Sequence, residues 1–234
     1  MGIPDSKQAA LGLLKLLLVP AALYLLLFAL LTYPLLLRFS THFFADTGDG
    51  LQNVWNIWWV NEAITRLHQS PLHTNYLHYP YGTSLLGHTL NPFNGLLAIP
   101  LLRFLSLVQA HNLIVIFSFV VAGVMAFLLC YYLTRSYPAG LIGGAIFTFS
   151  NYHFAHAQGH LQLVSLEWIP LFVLGCYLFL ARPSIPLGIA SGLVLLAVLM
   201  CDYYYYFYSV VVAGFLFAWQ ALRTRKPLFF VTGR

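Results

Sequence analysis

The residues best suited to chemistry in this chain are two aspartates three positions apart and three histidines at steps of three and four. The acidic pair lies in Asp46-Thr-Gly-Asp49-Gly-Leu-Gln52, where glycines before and after Asp49 make an adaptable loop suited to a substrate. Asp49 can also cap the helix predicted to follow it, accepting backbone N–H bonds in the first turn. The roles are compatible, because a helix start fixes the carboxylate in place. His153-x-x-His156-x-x-x-His160 puts three imidazoles on one face if the segment is helical. Such a face could hold zinc with an open coordination position. Gly159 favours a loop instead, which breaks the face and leaves solvated or hydrogen-bonding histidines. A divalent cation held by Asp46 and Asp49 is a further alternative, and no cofactor is required by the pattern.

The elements that must carry these groups are set by composition. Residues of the apolar and aromatic classes make up 60% of the 234 residues and charged residues 7%, against about 25% charged in a soluble domain. Eleven Lys and Arg with six Asp and Glu cannot clothe a soluble surface of this size. The chain therefore reads as an integral membrane protein, all-α, a polytopic transmembrane helical bundle. Disordered, disulfide-stapled and nucleic-acid-binding classes are excluded on the same grounds. Cys130, Cys176 and Cys201 lie in apolar runs without a CxxC partner and read as buried small residues.

A spanning helix needs about 20 mostly apolar residues. Gaps between charges predict about six spans, near 13–37, 111–134, 138–152, 163–181, 185–201 and 203–222. The third is short and carries Gly140, Gly143 and Gly144, which suits close helix packing. Residues 1–37 read as a retained anchor, since the apolar run exceeds a cleavable signal. Residues 38–110 form a long external loop, residues 111–226 a five-span bundle, and residues 227–234 the approach to a further span, all within a single transmembrane domain. Lys7 and Lys15 before the first span predict a cytoplasmic N-terminus. Alternation then puts Arg135, Arg182, Arg223, Arg225 and Lys226 on the cytoplasmic side. Asp46, Asp49, Glu62, Asp202 and all nine histidines fall on or near the other side, where the titratable chemistry is expected.

Within the long loop, Trp55, Trp58 and Trp59, interleaved with Asn53, Asn56 and Asn61, predict a helix lying at the membrane interface. A second apolar helix is expected at about 93–107, re-entrant or interfacial, because Pro100 and Arg103 make it a poor span. Glu167 sits in an apolar run, where an acid must face a partner such as Arg103 or a histidine, or a cavity. Asp202 marks the turn between the last two spans, ahead of an aromatic belt at 203–208.

The order of these features resembles the GT-C superfamily of integral membrane glycosyltransferases, near the YfhO-like bacterial membrane proteins. The resemblance rests on an N-terminal anchor, the Asp-x-x-Asp-Gly-x-Gln loop at 46–52, the tryptophan-rich helix and Pro80-x-Gly82-x-x-Leu85. Gly159-His160-Leu-Gln162 and Glu167-Trp168-Ile-Pro170 complete it. It covers about residues 35–222. It implies inverting transfer of a sugar from a polyprenyl-phosphate donor to a glycan, lipid or protein acceptor, at the outer face of a prokaryotic inner membrane. Asp49 would be the general base, or Asp46 if Asp49 only caps. His160, Glu167, Arg103, His153, His156 and Asp202 are the candidate substrate-binding residues. Family members have more spans, so the resemblance implies that the chain is an N-terminal portion. The expected partners are the lipid-linked donor, membrane lipid and the acceptor, with no nucleic acid. The demands of the chemistry agree: an oxocarbenium-like transition state, one base on the acceptor side, and a leaving phosphate held by donors. A flippase for lipid-linked saccharides and a noncatalytic assembly subunit are the rival readings.

Overall fold

A computed structural model describes residues 6–224. Its helices are α1 (Ser6–Leu31), α2 (Tyr33–Arg38), α3 (Asp49–Thr65), α4 (Pro92–Leu101), α5 (Leu107–Thr134), α6 (Tyr137–Thr148), α7 (Asn151–Gly159), α8 (Leu161–Val164), α9 (Trp168–Ala181), α10 (Ile185–Cys201) and α11 (Tyr203–Thr224). Two-residue strands β1 (His73–Thr74) and β2 (Thr83–Ser84) pair antiparallel. Gly82 in that hairpin has φ +71°, and a Cβ there would run into Thr74 O at 2.7 Å, so the turn needs glycine. The all-α class holds. Asp5, Arg225, Lys226 and the possible further span at 227–234 lie outside the described residues.

Among the described residues, four segments are long and apolar enough to cross a bilayer: 14–31, 107–134, 161–181 and 203–223. Ile185–Cys201 is shorter, and the span expected at 138–152 is shorter still. Its helix α6 has 12 residues, about 18 Å at the α-helical rise, against a hydrocarbon core near 30 Å. The first expected span also ends early. Pro34 offers no N–H and its ring clashes with the carbonyl four residues back. The helix therefore stops at Leu31 and restarts as α2 with Pro34 in its first turn. The outward surfaces carry large apolar side chains, among them Leu30, Ile146, Leu193 and Phe215, as an integral membrane protein requires.

Helix α5 is the hub, packing against α1, α6 and α9. Glycines let these helices approach closely. A Cβ at Gly123 would meet the Tyr24 ring at 2.6 Å, one at Gly140 the Phe127 ring at 2.8 Å, and one at Gly143 the Cys130 sulfur at 2.6 Å. Charges sort to the two ends of the bundle. At one end the Tyr137 hydroxyl donates to Lys15 O at 2.8 Å, beside Arg135. The acids and histidines gather at the other end.

That second end is a folded layer rather than a set of loops. The second helix of the long loop ends at Leu101, not 107, and Ser106 then opens α5 with a capping box to Gln109. Helix α3 packs its tryptophan face on the rest of this layer. Trp59 is fully buried with Val60, Ala63, Leu85 and Leu90, and its Nε1 donates to Pro71 O at 2.9 Å. Trp55 stacks on it at 5.8 Å. The tryptophans hold α3 to the 71–90 hairpin, Trp58 and Trp59 both packing on Tyr76.

Candidate functional site

The loop carrying the acidic pair is clamped by Asn112 of α5, which is fully buried. Its Nδ2 donates to Phe39 O at 2.9 Å and His42 O at 2.8 Å, and its Oδ1 accepts from Phe44 N at 2.8 Å. At about 1 kcal/mol net for each bond, this one side chain supplies roughly 3 kcal/mol toward holding residues 39–44. Two residues on, the Asp46 N–H donates to Gln158 O of α7 at 2.7 Å. The loop is thus tied to the hub helix at one end and to the histidine helix at the other.

Asp46 and Asp49 then divide the work. Asp46 Oδ1 accepts from Gly48 N at 3.0 Å and Gly50 N at 2.8 Å. It satisfies N–H groups at the start of α3, the role expected of Asp49. Asp49 is the first residue of the helix, not its cap, and its exposed carboxylate is free of that duty. Its Oδ2 lies 3.4 Å from His160 Nε2. This is longer than the roughly 2.7–2.9 Å of a tight charge-assisted bond, which leaves the carboxylate able to take a second partner.

Asn53, one turn into α3, locks the two walls together. Its Nδ2 donates to Asp49 O and to Gly159 O, both at 2.8 Å. The walls meet at glycines: a Cβ at Gly50 would sit 2.5 Å from Gln158 O, and one at Gly159 2.8 Å from Asp46 Oδ2. Gly159 therefore does not break the histidine segment into a loop. Residues 151–159 are helical and His160 closes the helix. His156 faces His160 edge-on at 5.2 Å. Partial burial and, next, the neighbouring His160 hold the His156 imidazole below its usual pKa.

The remaining expected site residues lie elsewhere. His153 is buried, stacked on Phe119 at 3.8 Å, with Nδ1 2.8 Å from Thr148 O and Nε2 2.9 Å from Val164 O. It is a packing residue that ties α6, α7 and α8 together, neither solvated nor in the acidic cluster. Burial pushes its pKa down to about 4, against the opposing pull of the two carbonyls. Among the described residues no three His, Cys, Asp or Glu side chains converge as metal ligands. Glu167 is fully buried and accepts from Ser118 Oγ at 2.5 Å, so its partner is a hydroxyl, not Arg103 or a histidine. Arg103 is exposed in the turn after α4.

Asp202 lines a separate cavity of about 350 Å³ with His88, Thr89, Asn91 and Tyr203. Its Oδ1 accepts from Tyr204 N at 2.8 Å and Tyr205 N at 3.0 Å and so caps α11. Burial raises its pKa, and those N–H bonds oppose the rise.

A second cavity, of about 440 Å³, adjoins the acidic cluster through Gln158. Its walls are Leu31, Leu35, Phe43, Phe44 and Phe154, and Arg38 and His42 contribute its cationic and imidazole groups. Arg38, His42, Asn53, Asn112 and Gln158 are the residues that a reading for acids and histidine spacing passes over. Arg38 has a sequence signal, a lone cation closing the first apolar run. Asn53 and Asn112 show none that separates them from other asparagines.

No known protein family, curated protein or solved structure matches this chain in sequence or fold.

Proposed function

We propose that the chain is a GT-C-like glycosyltransferase, or the module of one that carries the base, acting on a polyprenyl-phosphate-linked sugar at the extracytoplasmic face of the membrane. The observation that supports this most is the division of roles at the start of α3: Asp46 serves the helix N–H groups and Asp49 is left exposed beside His160. The apolar cavity next to it, with Arg38 and His42, has the character needed for a lipid phosphate whose tail stays in the bilayer.

In this reading the acceptor hydroxyl approaches Asp49 from solvent. Asp49 takes its proton as the hydroxyl oxygen attacks the anomeric carbon. The bond from that carbon to the phosphate oxygen breaks, and its electron pair leaves on the polyprenyl phosphate. The attack comes from the face opposite the leaving group, so the anomeric configuration inverts. Arg38 and His42 hold the developing phosphate charge, and His160 orients Asp49. A cytoplasmic N-terminus belongs to the same proposal: with 14–31 as the first crossing, it puts Asp49 and the 440 Å³ cavity on the outer face.

The test is reconstitution of the full-length protein in liposomes with a labelled polyprenyl-phosphate sugar and candidate glycan acceptors. Covalent transfer with inverted configuration supports the proposal. Movement of intact lipid-linked sugar between leaflets without transfer would establish the flippase reading in its place.

A further inference from the structure

We propose that the end of the bundle opposite the acidic cluster holds the phosphodiester headgroup of an acidic phospholipid. Helices α5, α9 and α11 enclose a cavity of about 210 Å³ there, lined by Tyr132, Tyr177, Ala181, Trp219, Gln220 and Arg223. Arg135, the residue that ends α5, lies over the Tyr132 ring at 5.0 Å. Arg182 ends α9 directly after Ala181. Arg223 thus lines the cavity, while Arg135 and Arg182 close the two helices whose residues Tyr132 and Ala181 line it.

The described carboxylates are remote from them. Asp202 caps the start of the helix that carries Arg223 in its last turn, about 32 Å away along the axis. Glu167 likewise precedes the start of α9. The three helix C-termini offer roughly half a negative charge each, which leaves the arginines in excess. None of the three makes an ion pair among the described residues.

The cavity wall adds donors to this charge. The Tyr132 and Tyr177 hydroxyls and the Trp219 indole make no hydrogen bond among the described residues, although they stand where tyrosine and tryptophan meet the headgroup layer. A guanidinium with two hydroxyls and an indole N–H suits an anion with several acceptor oxygens. The outward side chains Phe215 and Leu222 beside it are apolar and exposed, so the anion best served is one attached to acyl chains. Basic pockets between spanning helices commonly take such headgroups. The site is independent of the sugar-transfer reading, since it lies at the other end of the molecule.

The experiment is native mass spectrometry of the full-length protein, released from detergent micelles containing equal dioleoyl-phosphatidylglycerol and dioleoyl-phosphatidylcholine. A parallel arm supplies inorganic phosphate and phosphatidylcholine alone. The expected result is one retained phosphatidylglycerol in preference to phosphatidylcholine. That preference should fall about fivefold in Arg223→Gln and further in the Arg135→Gln, Arg223→Gln double variant. Arg223→Lys should keep most of it, which separates loss of charge from loss of fold. Equal retention of both lipids, or unchanged preference in Arg223→Gln, overturns the proposal. Retention of inorganic phosphate in place of lipid overturns the lipid assignment.

Discussion

Asp49 Oδ2 and His160 Nε2 meet at 3.4 Å although they belong to helices far apart in the chain. The contact exists because Asn53 bridges the α3 and α7 backbones and because Gly50 and Gly159 have no side chain to hold them apart. A carboxylate so placed is rigid in position yet open to solvent on one side, which is what a base for an external acceptor needs.

Asp46 supports the helix start, so its loss should appear in stability first. Asp46→Ala is expected to cost about 1 kcal/mol, within the range found for capping residues, while Asp46→Asn keeps most of that, because an amide oxygen accepts the same N–H bonds. Thermal melting in detergent reads the difference. Equal melting temperatures for wild type and Asp46→Ala would refute the capping role.

Gly50→Ala tests the close approach of α3 to α7. The new methyl would sit 2.5 Å from Gln158 O and 2.8 Å from Ala45 Cβ, and neither backbone can yield without moving a helix. A loss of about 1–3 kcal/mol is expected, typical of overpacking, with a larger separation of Asp49 from His160. The readout is the melting temperature together with the distance between spin labels on the exposed faces of α3 and α7. A stable protein with an unchanged distance contradicts the packing described.

Glu167 and Ser118 should behave as a structural pair. Ser118→Ala removes the hydroxyl donor from a buried carboxylate, at a cost of about 1–3 kcal/mol. Turnover per folded molecule should stay within about twofold of wild type. A changed KM with normal stability would return Glu167 to the substrate pocket.

His153 predicts an acid-sensitive fold. Its folded pKa is lowered from 6.5 to about 4. The stability it contributes is therefore fully present above pH 6.5 and is lost as pH falls toward 4, to a limit of about 3 kcal/mol. Melting curves of wild type and His153→Gln between pH 7.5 and 4 isolate this part, since His88 and His156, whose pKa values burial also lowers, titrate in both proteins. Parallel curves would show that His153 does not titrate with unfolding.

The membrane class, the long helices and the gathering of acids and histidines at one end were legible in the sequence, because apolar run length and charge gaps act locally. The pairing of Asp49 with His160 was legible only as an expectation that both serve one site. What sequence could not carry was the direction each side chain takes within its helix. His153 and His160 look equivalent by spacing, yet α7 turns His153 into the packing against Phe119 and leaves His160 at the helix end facing α3. Glu167 was expected to face a charge because intramembrane acids commonly do, and the serine that meets it lies in another helix with no pattern to mark it. Three tryptophans in α3 mark an amphipathic helix by type, but the hairpin that buries Trp59 is joined to it only by the tertiary fold.

The most direct test of the account is the turnover of Asp49→Asn in sugar transfer from a polyprenyl-phosphate donor, with Asp46→Asn measured beside it. Asparagine keeps the shape and removes the base, and Asp49 makes no cap whose loss could mimic the effect. The expected result is a drop of about 10²–10⁴-fold for Asp49→Asn with donor binding and melting temperature unchanged, and turnover near wild type for Asp46→Asn. Wild-type turnover in Asp49→Asn would contradict it.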